Sequence, residues 1–385
     1  MVDKQPDTTN DAVITVGDVA ALLDLAYPPK LAQSWDCVGL VCGDRAEQVR
    51  RALICVDVTD DVVAAACDPQ APADIVIAHH PLLLRGVDTV AADTPKGRVL
   101  HRLIRAGVAL FTAHTNADSA RPGVSDALAA VLGVHQTTPI EPIAVPPMDK
   151  WVVMVPTAQA ERVSEAMFAA GAGAIGDYRN CSWSVTGVGQ FEALDGASPT
   201  IGEIGARTRV DEMRVEMVAS RGVRTAVLAA LRAAHPYEEP AFDILEVAST
   251  DSDVGLGRVG HLDVALTVRD FVAHAARSLR TPWGVRATGD PDALVRTVAV
   301  CGGAGDSLIG AVRGLGADLY LTGDLRHHPV DEALRVGGPI LVDAGHWATE
   351  FPWCAQVADI LGAGLGLDAR VFSPPTDPFT VHWVI

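Results

Sequence analysis

The sequence predicts an α/β protein in which one domain of alternating strands and helices is split by a smaller α+β domain. The two halves of the split domain are assigned to residues 1–137 and 255–385, and the insert to residues 150–247. Apolar runs alternate with helical patterns in both halves, which favours right-handed crossovers and a largely parallel sheet. A stretch with four prolines at residues 137–149 interrupts this alternation and is typical of a linker.

Each element of the first half has its own residue pattern. Residues 12–27 carry apolar side chains at helical spacing, and residues 51–57 form a short apolar run with β-branched side chains, typical of a buried strand. Thr59 or Asp60 is a suitable cap for a helix that runs to Ala66. The pattern then predicts strands at 73–78 and 108–113 and helices at 95–106 and 122–132.

The insert has a different order of elements. Residues 151–156 read as a strand, residues 158–170 as a helix, and residues 223–234 as a second helix. Glycine-rich turns and strands lie between the two helices. The resulting β-α-β-β-α-β order predicts a ferredoxin-like fold.

Alternation resumes after a second linker at residues 249–257. The pattern predicts strands at 296–301, 317–322, 339–343 and 368–372 and helices at 267–279, 306–315, 330–336 and 347–361.

Composition limits the class of function. The chain has 385 residues, of which 49% are hydrophobic and 20% charged, as expected of a globular protein. It has 30 Lys and Arg against 48 Asp and Glu, which gives a formal net charge of −18. Because no basic run offsets this charge, we expect no binding to nucleic acid or to an anionic membrane.

The sequence also predicts a cytoplasmic location. No stretch approaches the roughly 20 uninterrupted apolar residues of a membrane span. The polar, acidic start of the chain does not resemble a signal peptide. The seven cysteines include no Cys-x-x-Cys pair, which favours free thiols in a reducing compartment.

Polar side chains concentrate at the carboxyl ends of predicted strands, the edge at which open α/β sheets bind ligands. Asp118, Asp343 and Glu350 lie at such ends. So do six of the twelve histidines: His79, His80, His114, His327, His328 and His346.

Taken singly, these groups have ordinary structural interpretations. His79 and His80 are adjacent, so they point to opposite faces of a strand and can simply bond to backbone at its end. Asp118 can cap the next helix, and Glu350 can lie in a first helical turn, where the helix dipole favours a carboxylate.

Together, they favour a metal centre. Three imidazoles and two carboxylates without a thiolate suit two divalent ions of the Zn, Mn, Fe, Co or Ni type, which activate water as a nucleophile. The five candidate ligands are His79, His80, Asp118, His346 and Glu350.

A glycine-rich segment at residues 302–306 follows a strand and opens a helix. Its backbone amides could hold an anion, or the segment could be a tight turn. It lacks the Lys-Ser/Thr pair of a phosphate-binding loop.

Several motifs resemble those of the Nif-three-like dinuclear metal-centre proteins, which are also called GTP cyclohydrolase 1 type 2 homologs. Residues 35–40 (WDCVGL) resemble W-D-N-x-G-L, and residues 79–81 match H-H-P. Residues 114–118 match H-T-N-x-D, residues 322–328 resemble T-G-D-x-x-x-H, and residues 343–350 match D-A-G-H-x-x-T-E. The insert is similar to that of the longer family members, through residues 171–178, 235–241 and 255–258.

The resemblance implies that the five candidate ligands hold two divalent ions, with Glu350 bridging them. It also implies that His114 and His328 line the same cavity, which makes them candidates for proton transfer. A ring-shaped homohexamer and a PII-like insert are further implications. Two positions depart from the family pattern: Cys37 replaces an Asn, and His327 stands where a Tyr or a similar residue is usual.

Two functions follow as hypotheses. The first is a metal-dependent hydrolase acting on a nucleotide such as GTP, in which metal-bound hydroxide attacks guanine C8, opens the imidazole ring and releases formate. The alternative is a non-catalytic, metal-loaded hexamer that senses a small molecule through its PII-like insert. A nucleic-acid-binding ring is disfavoured by the charge of −18.

Overall fold

Residues 13–249, 252–281 and 283–381 are described by a computed structural model. The chain divides into two units, one formed by Met1–Ile143 with Ser252–Ile385 and the other by Ala144–Asp251. We call them the split unit and the insert.

The helices and strands follow one another in three stretches. Before the insert come α1 (Val16–Ala26), β1 (Gly39–Cys42), β2 (Arg51–Cys55), α2 (Asp60–Ala66), β3 (Ile75–Ala78), α3 (Pro95–Ala106), β4 (Ala109–Thr112), α4 (Thr115–Ser119), α5 (Val124–Val131), β5 (His135–Thr138) and β6 (Glu141–Pro142). The insert contains β7 (Met148–Pro156), α6 (Ala160–Ala169), β8 (Trp183–Glu192), β9 (Arg207–Ser220), α7 (Arg224–Ala234) and β10 (Phe242–Glu246). After it come β11 (Gly255–Leu256), β12 (Arg258–Thr267), α8 (Val268–Ser278), β13 (Arg286–Ala287), β14 (Leu294–Ala304), α9 (Ile309–Gly314), β15 (Leu319–Gly323), α10 (His327–Arg335), β16 (Ile340–Asp343), α11 (His346–Glu350), α12 (Pro352–Leu365) and β17 (Asp368–Val371).

The split unit contains two mixed sheets where the sequence predicted a largely parallel one. The first has the order β1-β4-β3-β2-β17, and the second has the order β13-β16-β15-β14-β12-β5. The central strands are parallel, whereas β1, β12, β5 and β13 pair antiparallel. These antiparallel strands were not predicted because they lack the continuous apolar run of a strand buried on both faces.

Both sheets contain strands from both halves of the chain. The C-terminal strand β17 pairs in parallel with β2, through Asp368–Arg51 to Val371–Ile54. In the second sheet, β5 pairs with β12, through Thr138 and Val259. The predicted linker at 137–149 is therefore wrong in part, because β5, β6 and the start of β7 occupy it.

The fully buried Arg258 joins the chain segments on either side of the insert. Its guanidinium donates two hydrogen bonds to Asp126, and further ones to the carbonyl oxygens of Ala120, Gly255 and Gly257, at 2.6–2.8 Å. Every donor and acceptor in this cluster lies in the split unit. Removing one partner of such a buried pair is costly, because it leaves the other charge without compensation.

The insert has the β-α-β-β-α-β order that the sequence predicts. Its antiparallel sheet has the strand order β10-β7-β9-β8, and its apolar core lies between this sheet and helices α6 and α7. Trp151, Val153, Met167 and Leu231 are buried in that core.

Within the part of the chain that the structure describes, no helix is both long enough and apolar enough to cross a bilayer.

We predict that the stability of the insert depends on the charge of Asp149. Its buried carboxylate receives two hydrogen bonds from Arg224, at 2.6 and 2.7 Å, and lies 3.5 Å from the guanidinium of Arg221. The hydrogen bonds from Arg224 hold the pKa of Asp149 below its ordinary value. A lowered pKa stabilises the fold above the unfolded value of about 3.9, and this contribution is lost as the pH falls through the lower folded pKa.

Urea unfolding of the full chain at pH 7 and near pH 3.5 measures this contribution. We expect Asp149→Asn to reduce both the stability at pH 7 and its loss on acidification. The control is Asp243→Asn on β10, at an exposed position. An unchanged pH dependence in Asp149→Asn would contradict the assignment.

Candidate metal centre

Four elements of the split unit bring titratable side chains together at the ends of strands. His79 and His80 follow β3, His114 follows β4, and α11, which carries His346 and Glu350, begins shortly after β16. The potential ligand atoms of His79, His80 and His114 lie within 4.8 Å of one another, and so do those of His80, His346 and Glu350. His80 belongs to both groups, so they form one continuous cluster.

All four histidines are oriented by a bond at Nδ1, which leaves Nε2 for the cluster. A carbonyl or carboxylate oxygen accepts each bond, so Nδ1 carries the proton and the neutral ring offers a lone pair at Nε2. The partners are Ala113 O for His79 (2.9 Å), Asp57 for His80 (2.7 Å), Asp36 for His114 (2.9 Å) and Asp324 for His346 (2.7 Å).

Two of these nitrogen atoms face each other directly. The Nε2 atoms of His80 and His346 are 3.3 Å apart. Two lone pairs at this distance repel unless a cation or a proton lies between them. Ligand atoms about 2.0 Å from one tetrahedral ion lie about 3.3 Å apart, so this separation suits a shared metal ion.

The Glu350 carboxylate contacts three imidazoles from a buried position. Oε1 lies 3.1 Å from His346 Nε2 and 3.5 Å from His79 Nε2, and Oε2 lies 3.1 Å from His80 Nε2. Among the described residues, neither Glu350 Oε2 nor His79 Nε2 has a hydrogen-bond partner. These unsatisfied buried atoms, oriented into a set of nitrogen and oxygen donors, fit a divalent ion.

The charges of the cluster depend on one another. Burial alone would raise the pKa of Glu350, but His80, His79 and His346 hold that pKa well below its ordinary value. Burial opposes the protonation of His80 and His346, yet Glu350 outweighs it and raises the pKa of His80 to about 11 and that of His346 to about 9. The buried carboxylate therefore requires positive charge beside it, which either protons or a metal ion can supply.

Asp118 and His114 lie at the other side of the cluster. Asp118 Oδ1 is 3.7 Å from His79 Nε2, and burial raises the pKa of Asp118 to about 6. The His114 ring lies 5.2 Å from that of His79, centroid to centroid. Burial, followed by the charge of His79, lowers the pKa of His114, so its ring stays neutral near pH 7.

The structure decides among the simpler interpretations of these residues. Asp118 lies inside α4 and does not cap α5, whose N-cap is Gly123. Glu350 is the last residue of α11, so the dipole of a first turn does not explain it. His79 does bond to backbone, but only through Nδ1.

His328 is not brought to this cluster. It lies exposed at the start of α10, where its ring contacts that of His327 at 5.3 Å. It does not line the cavity of about 650 Å³ that opens onto the candidate metal centre. Trp35, His114, Asp118, Cys301, His346 and Glu350 line that cavity.

Gly303 is a site residue that the sequence analysis did not identify as such. Its φ is +67°, and a Cβ atom there would lie 2.4 Å from Glu350 Oε1 and 3.2 Å from His346 Nε2. Its amide donates a 2.9 Å hydrogen bond to Thr349 Oγ1. Neither interpretation of residues 302–306 holds as stated, because residues 302–304 end strand β14, where its pairing with β15 shifts register. The positive φ of Gly303 at this irregularity lets the backbone approach the candidate ligands closely.

Asp57 was also missed as a site residue. It follows β2, at the same edge of the sheet as His79 and His80, so the rule about strand ends applies to it too. Its Oδ1 accepts from His80, and its Oδ2 accepts from Thr376 Oγ1 at 2.5 Å. Asp36, which orients His114, appeared only as part of a motif.

Comparison with known proteins points to one family. A sequence profile of Duf34/NIF3 (NGG1p interacting factor 3) matches residues 14–378. A Mycobacterium leprae protein named GTP cyclohydrolase 1 type 2 homolog is 54% identical over 370 residues, which cover 95% of each chain. A Bacillus subtilis protein of the same name is 38% identical over 330 residues, or 86% of this chain and 87% of the relative.

Solved structures agree with these sequence matches. A Bacillus cereus protein related to NIF3 is 34% identical, with a TM-score of 0.66 over 96% of this chain and 100% of the other. A Staphylococcus aureus hypothetical protein is 26% identical, with a TM-score of 0.75 over 96% of this chain and 99% of the other.

We predict that Gly303→Ala weakens metal binding by at least about tenfold and leaves the fold intact. The added methyl group would collide with Glu350 in a backbone conformation that disfavours Ala. Titration with Zn²⁺ or Mn²⁺ measures the affinity, and circular dichroism checks the fold. Gly310→Ala is the control, because a Cβ atom there meets nothing within 4 Å. Equal losses in both variants would contradict this role for Gly303.

We predict that Asp57→Ala lowers metal affinity about 10- to 100-fold, as expected when an outer-shell partner of a ligand histidine is removed. Asp57→Asn keeps an acceptor oxygen and should lose less. Asp61→Ala, at an exposed position on α2, is the control. A wild-type affinity in Asp57→Ala would show that His80 needs no support from Asp57.

Proposed function

Because the chain belongs to the Duf34/NIF3 family, we propose that it is a dinuclear metal-dependent hydrolase that acts on a guanine nucleotide. Relatives over most of its length are named GTP cyclohydrolase 1 type 2 homolog. The proposed reaction adds water at guanine C8 and opens the imidazole ring, and a second water then releases C8 as formate.

One observation carries the metal-dependent part of this proposal. The Glu350 carboxylate touches His79, His80 and His346 beneath an open cavity, and each imidazole presents Nε2 toward it. His80 and His346 would hold one ion, and His79 and Asp118 the other, with Glu350 shared. Divalent ions in such a pair activate water as a nucleophile and stabilise the negative charge that develops on the substrate.

The remaining side chains have separate roles. His114 is held by Asp36 through Nδ1 and stays neutral near pH 7, so its Nε2 can accept a proton and return it to the leaving group. The family resemblance also makes His328 a candidate for proton transfer. Because His328 is exposed and does not line the cavity, we propose His114 as the main proton carrier.

Trp35 supports recognition of a base. Its side chain is 58% exposed and lines the cavity, and its ring meets the His114 ring edge-on at 6.0 Å. A free aromatic face of this kind stacks well on a purine. We propose that the guanine ring lies on Trp35, with C8 directed toward the metal centre.

The test measures metal content and formate release together. Wild-type protein purified without chelator should carry about two ions per chain, and Glu350→Ala should lose most of them. Metal-loaded wild type should release formate from GTP, and Glu350→Ala should not. Glu332→Ala, at an exposed position on α10, is the control.

Two outcomes would contradict the proposal. If the wild-type protein is purified without metal and does not bind added Mn, Zn, Fe or Co, the cluster has a structural role only. A metal-loaded protein that left GTP intact with each of these metals would exclude this reaction and leave the metal site standing.

We also propose a ring-shaped homohexamer located in the cytoplasm. The family resemblance supports the assembly, and the free state of all seven cysteines supports a reducing compartment. Native mass spectrometry should give six times the chain mass of 40.3 kDa. A monomer at micromolar concentration would contradict the assembly.

A second candidate function is the sensing of a small molecule through the insert, which we infer to be related to the PII-type regulatory fold. The observation that favours it is a cavity of about 270 Å³ whose lining lies wholly within the insert. A thermal-shift screen of small molecules on the full chain should find ligands whose stabilisation is lost when this lining is altered.

A further inference from the structure

The cavity of the insert is formed by four segments. It lies between the C-terminal end of β8, the middle of β9 at Glu212, the loop at residues 193–201 and the segment at residues 235–241. The last of these segments has the sequence HPYEEPA, which the metal centre does not use.

The segment at residues 235–241 is fixed from its first residue. His235 Nε2 lies 2.9 Å from the carbonyl oxygen of Met154, and His235 Nδ1 accepts from the amide of Tyr237 at 3.1 Å. These two contacts assign the proton to Nε2. Both ring nitrogens of His235 therefore form hydrogen bonds to the backbone, and these bonds hold the Tyr237 ring in the cavity wall.

The opposite wall is tied to the same segment. The amide of Ser198 donates to Glu238 Oε1 at 2.9 Å, and the Thr200 hydroxyl donates to the carbonyl oxygen of Pro236 at 2.7 Å. The loop and the segment therefore hold each other in place. A cavity formed in this way needs little ordering when a ligand binds.

The aromatic part of the lining is a pair of rings. Phe191 and Tyr237 meet edge to face, with centroids 5.8 Å apart. The Tyr237 hydroxyl is buried and has no hydrogen-bond partner among the described residues. Burial, followed by the neighbouring Glu212, raises the pKa of Tyr237 to about 12, so the hydroxyl stays protonated.

The charged part of the lining is wholly acidic. It includes Glu212, Glu238 and Glu239 but no Lys, Arg or His. None of the salt bridges within the described ranges involves these three carboxylates. Gly189 leaves the space that Glu212 occupies, because a Cβ atom there would lie 1.9 Å from Glu212 Oε2.

This lining selects among classes of ligand. Anions, including nucleotide phosphates, would be repelled by three carboxylates, since no Lys or Arg occurs among the described residues that line the cavity. A bare metal ion is disfavoured as the ligand. In the described part of the chain, three potential ligand atoms come within 4.8 Å of one another at the candidate metal centre but not in the cavity of the insert. An aromatic pair beside carboxylates suits a cation with an apolar body.

We propose that this cavity binds a small organic cation, with an ammonium or guanidinium group against Glu212 and a short apolar chain against Phe191 and Tyr237. This inference rests on the second function proposed above, since it names the ligand class that the insert would sense. It does not depend on catalysis at the metal centre.

Isothermal titration of the full chain with agmatine, putrescine and spermidine tests the proposal. We expect at least one of these cations to bind with a Kd below about 1 mM and to bind more weakly as salt is raised. Glu212→Gln should weaken binding by at least about tenfold, and Tyr237→Phe by a smaller factor. Glu192→Gln, an exposed change on β8 outside the lining, should bind as wild type does.

Further titrations show where the cation binds and which class of ligand the cavity takes. Binding should be unchanged in Glu350→Ala, and a loss there with retention in Glu212→Gln would move the cation to the metal centre and overturn the assignment. Citrate and ATP are the anionic probes. If they bind in a manner sensitive to Glu212 and the cations do not, the ligand class is wrong but sensing by the insert stands. If no probe binds, the proposal of an organic cation is wrong, and the thermal-shift screen decides separately whether the insert senses another molecule. Thermal unfolding of each variant identifies any that fail to fold.

Discussion

A carboxylate buried among imidazoles is the constraint on which the split unit depends. Glu350 is 3% exposed and has three imidazole nitrogen atoms within 3.5 Å. Such a charge is tolerated in an apolar interior only where positive charge accompanies it. The partners come from β3 in the first half of the chain and from α11 in the second, so the two halves must meet for the charge to be compensated. Formation of the site and assembly of the split unit from its two halves therefore occur together.

Most of what positions this site follows from the sequence, since the ends of parallel strands are readable as apolar runs followed by polar residues. His79, His80, Asp118, His346 and Glu350 were predicted as ligands in this way, and the structure places all five side chains at one cluster. Gly303 could not be found, because its role is to leave space beside Glu350, and an empty volume has no sequence pattern. Asp57 could have been found by the same rule and was missed because one carboxylate after a strand has many ordinary uses.

The predicted fold differs from the observed one where pairing is non-local. Strand β17 lies in the second half of the chain but pairs with β2 of the first half, and no local sequence pattern specifies that partner. The half-exposed strands β1 and β12 lack a continuous apolar run. The insert was predicted more fully, because its helices and strands follow one another locally and its topology follows from their order.

The way in which the insert joins the split unit has a consequence for folding. The split unit pairs Glu141 with Leu256, and the insert pairs Asp149 with Glu246, so the chain ends at the junction lie side by side within each unit. If the insert folds first, the loop that the split unit must close shortens from roughly 110 residues to about 16. Since closure entropy grows with the logarithm of loop length, this order reduces the closure cost by about 2 kcal/mol. Early folding of the insert would thus assist the assembly of the split unit, in addition to any ligand that the insert binds.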